Sequence, residues 1–306
     1  MFEGVSVAMV TPFRDGQLDY EAADRVLAHL LAGGVDGVLP LGTTGEGATV
    51  TREERRAFIE FVVGRTRGRA WVAPGTGSND TATTIELTRE ARSLGADGAL
   101  VVTPFYNKPT QDGLRAHFEA VASAAGFPLI LYNVPSRTSV NLLPETVTHL
   151  AQVPEIVAIK EASGNPDQTT EICRDTDLTV LSGDDSLTLP LLAVGAKGVV
   201  SVVGHLAPAA LQEMVRAFRA GRVDDAVAIH QQLFALTRAL FSETNPAPVK
   251  HALAHWGWIR EEVRLPLVPM GEANARRLDA ILDATMAALP ERFRPEIGAS
   301  TQPVRP

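Results

Sequence analysis

The chain has 306 residues, 45% of them hydrophobic and 21% charged, a globular composition rather than a disordered or fibrous one. The formal net charge of −8 argues against a nucleic-acid partner, because a phosphate backbone needs clustered Lys and Arg. The single cysteine, Cys173, excludes a disulfide within the chain and fits a reducing compartment; with no basic leader and no run near the ~18 apolar residues of a membrane helix, a soluble cytoplasmic protein is expected.

Eight short apolar runs follow one another along the chain: Val5–Pro12, Gly37–Gly42, Ala70–Gly75, Gly98–Pro104, Leu129–Val134, Ile156–Ala162, Thr179–Gly183 and Gly198–Gly204. They are nearly continuous rather than alternating, as expected of strands buried on both faces of a parallel sheet. Amphipathic segments lie between them, at Asp19–Leu31, Thr51–Arg67, Asp80–Leu94, Thr110–Ala125, Pro144–Leu150, Pro166–Arg174, Ser186–Val194 and Pro208–Ala220. The second opens T-R-E-E, with Thr51 as cap and Glu54 three residues on, a capping box. Three near-copies, GVDG at 34–37, GADG at 95–98 and GAKG at 195–198, stand before strands, where a left-handed helix stop is expected.

Eight βα units in series predict a (β/α)8 TIM barrel over residues 1–220. The absence of a GxGxxG turn after the first strand disfavours an open doubly wound sheet. Residues 221–290 predict a C-terminal helical extension (Val223–Leu240, Pro248–Trp258, Glu272–Leu289), and 291–306 a flexible tail.

Barrel active sites lie at the carboxyl ends of the strands, so a residue out of place there is informative. Lys160 follows Ile156-Val157-Ala158-Ile159 inside a buried strand. Burial disfavours the ammonium form, and the free amine can condense with a carbonyl substrate. The alternative is a structural ion pair, for which Glu161, on the opposite strand face, cannot serve. Of the other three lysines, Lys108 reads as a solvated loop residue, Lys197 falls on the wrong face of the barrel, and Lys250 stands in an exposed-looking helix start, P-V-K-H. Tyr132 and Tyr106 fall at strand ends, either as proton shuttles or as packing residues. The turn Gly42–Gly47, GTTGEG, offers two hydroxyls and backbone amides suited to a carboxylate. Arg137, just past the fifth strand, is either a bidentate carboxylate ligand or one more surface arginine. His251 and His255 are spaced i, i+4, but no third metal ligand is evident.

Together VTPF (10–13), GTTGE (42–46), PFYNKPTQDG (104–113), YNVPSRT (132–138), IKEASG (159–164), SGDD (182–185), NPAPVK (245–250) and RLPLVP (264–269) resemble the dihydrodipicolinate synthase family of pyruvate-dependent class I aldolases. The resemblance implies that Lys160 forms an imine with pyruvate and that the derived enamine condenses with L-aspartate 4-semialdehyde, toward diaminopimelate and lysine. Tyr132 would move protons beside the imine. Thr43 would link it to Tyr106, supplied across a subunit interface. Thr44 would hold the pyruvate carboxylate, Arg137 that of the semialdehyde, and Gly183 and Val200 would line the site through backbone groups. No metal or organic cofactor is implied, and the assembly would be a homotetramer of tight dimers. Sister enzymes share the lysine and tyrosine but act on 2-keto-3-deoxy sugar acids or N-acetylneuraminate; Arg137 within YNVPSRT favours the synthase. Ser139 stands where the family usually has glycine. The positions matching the lysine effector pocket carry Arg52, Arg55, Thr83 and Phe105, with Asn79 and Ala48 retained, so weak or absent inhibition by lysine is expected.

Overall fold

A computed structural model describes residues 1–295. Eight parallel strands form its centre: β1 (Gly4–Val7), β2 (Gly37–Val38), β3 (Trp71–Val72), β4 (Ala99–Val102), β5 (Leu129–Asn133), β6 (Ile156–Glu161), β7 (Thr179–Ser182) and β8 (Gly198–Ser201). They are hydrogen-bonded in the order β3-β2-β1-β8-β7-β6-β5-β4. A bridge between Gly75 and Leu100 joins the two outer strands and closes the barrel. There Thr76 N–H donates to the Leu100 carbonyl and Leu100 N–H to that of Pro74, both at 2.9 Å.

The ladders are shorter than the apolar runs that produce them. The run 37–42 contributes only Gly37 and Val38, since Pro40 brings no N–H to a ladder. The ends of the runs form the rim loops instead. Alternation along each strand sorts side chains between two cores. Ala8, Leu39, Ala73, Leu100, Ile130, Ala158, Leu181 and Val200 fill the barrel interior, whereas Val5, Val7, Val101, Leu131, Ile159 and Val199 face the helices. On β6 this places Ala158 and Lys160 inside, and Ile159 and Glu161 outside.

The capping box read from the sequence at Thr51 forms, and aspartates cap two further helices. The Asp19 carboxylate accepts from Ala22 N–H, Asp80 from Thr83 N–H, and Thr51 and Glu54 complete a capping box. The three glycine stops are left-handed: Gly34 at φ +76°, Gly95 at +83° and Gly195 at +117°. The aspartates of two of these turns have a further role. Asp36 accepts from Val5 N–H and Asp97 from Val72 N–H, each at 2.8 Å, satisfying the lower ends of β1 and β3.

Beyond the barrel, helix Glu272–Ala288 packs on both helix Val223–Ala239 and helix Ala247–His255. A final turn, Glu291–Phe293, buries Phe293 against helix Pro208–Arg219. The rest of the expected tail, 296–306, lies outside the described residues. Among the described residues no helix is long and apolar enough to cross a membrane.

The expected exposure of Lys250 is a correction. This lysine is wholly buried, forms an ion pair with Glu46, and donates to the Glu262 carbonyl at 2.8 Å. Burial lowers its pKa to about 8, against the opposing pull of Glu46. The histidine pair at 251 and 255 is also occupied. His251 Nε2 lies 2.9 Å from Asp279 and Nδ1 2.9 Å from Glu261, while His255 lies 3.2 Å from Asp279 and 3.3 Å from Asp283. These contacts tie helix Ala247–His255 to helix Glu272–Ala288.

Candidate active site

Parallel pairing of β5 with β6 sets Tyr132 opposite Lys160 in register. Both side chains point inward at the carboxyl rim, and the Lys160 Nζ lies 4.2 Å from the centre of the Tyr132 ring. Lys160 is 6% exposed. Among the described residues the one ion pair buried on both sides joins Lys250 to Glu46, and Lys160 has no carboxylate partner. Glu161 turns the other way. It accepts from Asn133 Nδ2 at 3.1 Å, Gln168 Nε2 at 3.2 Å and Ser163 N–H at 2.7 Å, and burial pushes its carboxyl pKa up. The alternative of a structural ion pair for Lys160 therefore has no acid to complete it.

Gly183, following β7, has a steric reason to be glycine. A Cβ there would stand 3.0 Å from Lys160 Cε and 2.7 Å from Ala162 Cβ. The bare backbone lets the amine extend past the seventh strand.

The Gly42–Gly47 turn is held from several sides. Glu46 N–H donates to the Thr43 carbonyl at 3.1 Å and Gly47 N–H to that of Gly42 at 3.2 Å. A Cβ on Gly47 would stand 2.1 Å from the Leu41 carbonyl oxygen, and one on Gly45 2.5 Å from Leu41 N. Thr44 is buried, and its Oγ1 accepts from Asn245 Nδ2 at 2.9 Å. Its own hydroxyl hydrogen stays available to an acceptor in the cavity.

A short helix, Pro135–Thr138, carries Arg137 over the mouth. It ends at Ser139, in the left-handed conformation at φ +60°, which gives the physical reason for a glycine preference there. On the opposite wall Asp185 accepts from the Val202 and Val203 amides at 2.8 and 2.9 Å. Burial raises the pKa of this carboxyl. These bonds fix the turn after β8, where Val202 reaches the cavity.

The cavity so formed measures about 240 Å³, a size for small metabolites. It brings together Lys160, Tyr132, Thr43, Thr44, Arg137 and Gly183. Two expected residues are not among its lining. Val200 packs one layer deeper inside the barrel. Tyr106 is 88% exposed, at φ +74°, in a loop tethered by Asn107 Nδ2 donating to the Asn79 carbonyl at 2.8 Å. Other lining residues were missed by sequence reasoning: Asp184, Ser186, Thr237, Arg238, Phe241 and Asn245. The last four come from the helical extension, which therefore closes one side of the mouth. The NPAPVK motif was the available signal for Asn245; Arg238 had none.

The dihydrodipicolinate synthetase family model matches residues 1–285. The chain is 48% identical over 285 residues to the 4-hydroxy-tetrahydrodipicolinate synthase of Pelobacter propionicus, covering 92% of this chain and 98% of that protein. It is 50% identical, with the same coverage, to the enzyme of the same name from Geotalea uraniireducens. The crystal structure of dihydrodipicolinate synthase from Aquifex aeolicus superposes with a TM-score of 0.91 at 46% identity, covering 92% of this chain and 98% of that one. Barrel closure, the inward strand lysine with its tyrosine and the match over residues 1–285 agree: the chain belongs to the dihydrodipicolinate synthetase family.

Proposed function

We propose that this enzyme is a lyase of the Schiff-base aldolase type that condenses pyruvate with L-aspartate 4-semialdehyde to give 4-hydroxy-tetrahydrodipicolinate. The observation that carries the reading is an inward lysine without an acidic partner, packed on a tyrosine under an arginine-bearing mouth. The Lys160 amine adds to the pyruvate keto carbon, and loss of water leaves an imine. A methyl proton departs, with Tyr132 placed to carry it, and the enamine forms. Its carbon attacks the semialdehyde aldehyde, and the resulting alkoxide takes up a proton to become the hydroxyl. The semialdehyde amine then adds to the imine carbon, closes the ring and expels the Lys160 amine. One water is released per turnover and no redox change occurs.

The Thr44 hydroxyl and nearby amides suit the pyruvate carboxylate, and Arg137 suits the semialdehyde carboxylate as a fork-like donor. Thr43 connects Tyr132 to a Tyr106 donated by a neighbouring subunit, in a homotetramer built from dimers. Its site would be cytoplasmic, with no nucleic acid or membrane as partner.

Borohydride reduction in the presence of pyruvate, followed by peptide mass spectrometry, tests the covalent step. A reduced adduct on Lys160 is expected, together with turnover of the semialdehyde. Absence of the adduct, or parental turnover by Lys160→Ala, overturns the reading.

A further inference from the structure

A second lysine, remote from the chemistry, is more deeply buried than the first. Lys250 and Glu46 are shut off from solvent, and neither lines the cavity. Glu46 lies two residues beyond Thr44, in the left-handed conformation at φ +50°. A non-glycine residue adopts that conformation at a cost that the surroundings must offset. Here its carboxylate is held at both oxygens: Oε1 faces the Lys250 ammonium, and Oε2 accepts from Arg264 N–H at 2.9 Å. The Arg264 guanidinium continues the chain of contacts, donating to both oxygens of Glu54 at 2.6 and 2.7 Å. Lys250 and Arg264 both lie over the Phe13 ring, at 4.3 and 4.2 Å. The extension thus grips the GTTGEG turn through an ion pair behind it, beside the Asn245 bond to Thr44.

A buried ion pair adds little net stability over an apolar pair of similar volume. What it does supply is direction, since a carboxylate held at both oxygens cannot rotate. We propose that the Glu46–Lys250 pair is a positioning device that fixes the Thr43–Thr44 turn, making the C-terminal extension a working part of the active site. This rests on the proposed Schiff-base function, in which that turn binds the pyruvate carboxylate. Neither residue is catalytic.

The test compares the parent with Lys250→Met, Lys250→Arg and the double variant Glu46→Gln/Lys250→Met. Thermal melting first establishes which are folded at the assay temperature. In folded Lys250→Met or the double variant, KM for pyruvate should rise roughly fivefold or more, with a smaller change in KM for the semialdehyde. Saturating pyruvate with borohydride should still label Lys160. Lys250→Arg, which keeps the charge, should recover much of the pyruvate KM. A merely structural role would lower kcat with the folded fraction and leave both KM values alone, and that result overturns the proposal. So does a parental pyruvate KM in a folded variant without the pair. Failure of the parent itself to trap pyruvate would instead refute the proposed function.

Discussion

At Gly183 a single hydrogen atom decides whether the Lys160 side chain can lie extended. An added methyl would meet Lys160 Cε at 3.0 Å, Ala162 Cβ at 2.7 Å and the Glu161 carbonyl at 3.1 Å. Two of these are backbone or strand-fixed atoms, so the lysine has to give way. Gly183→Ala should lower kcat/KM by roughly 10²-fold, the effect expected of an ångström-scale misplacement. Its stability cost should be that of modest overpacking, ~1–3 kcal/mol. Steady-state kinetics beside a melting curve checks this; parental kinetics would mean that Lys160 does not need the space. The two buried lysines also show what a sequence makes visible. Lys160 stands out because Val157-Ala158-Ile159 precedes it on a strand, where a charge is anomalous. Lys250 does not, because the polar start P-V-K-H looks solvated and its partner lies in a distant turn. Asn245 and Thr44, joined by the neighbouring bond, are 201 residues apart. Local pattern carries no information about such pairings.

Helices and strands are legible where their signals are local. The capping box at Thr51 and the left-handed stops at Gly34, Gly95 and Gly195 are written in contiguous residues. The helical extension is legible as helices but not as a wall of the site, since that depends on how it folds back over the rim. Helix Arg52–Thr66 carries the strongest functional statement at this scale. Arg55 is buried, and its guanidinium donates to the carbonyls of Gly75 and Gly47. Burial lowers its pKa from the ordinary arginine range. Arg52, one turn earlier, reaches Glu86 at 3.4 Å. An effector ammonium would meet two guanidinium groups, with the nearby carbonyl acceptors already engaged. Free lysine should therefore inhibit only weakly, with an inhibition constant above about 1 mM. Titrating lysine into the turnover assay decides it, and strong sub-millimolar inhibition would contradict this account.

The molecule as a whole has two properties that no single element explains. The first is its response to acid. His117 and His205 are buried and His29, packed close to His205, is half-buried; burial lowers each pKa from 6.5 to about 4. Between those values the unfolded chain takes up protons that the folded chain refuses. Stability is therefore fullest above pH 6.5 and is lost as pH falls toward 4, by ~2–3 kcal/mol for one such ring; because His29 and His205 interact, their losses do not simply add. Glu161 and Asp185, with pKa values raised by burial, act in the opposite sense and reduce the net loss. The urea midpoint should still be clearly lower at pH 4.5 than at pH 7.5, and an unchanged midpoint would show that these rings titrate normally. The second property is that the proposed relay is incomplete within one chain. Tyr106 stands 88% exposed beside Phe105, 38% exposed, at the tip of a loop held at φ +74°. A large aromatic pair presented to solvent suits an interface. Should Tyr106 serve its neighbour's site, two inactive variants ought to rescue each other. Tyr106→Phe retains Lys160 but lacks a phenol to lend, whereas Lys160→Ala lends its phenol but cannot form the imine. A mixed dimer then contains one complete site, made of the first variant's lysine and the second variant's tyrosine. After subunit exchange in equal amounts, half the dimers are mixed and half their sites work, so about a quarter of parental activity should return. Recovery should require time for exchange and should vanish when the subunits are crosslinked beforehand. If the mixture stays as inactive as its components, Tyr106 acts within its own chain or not at all.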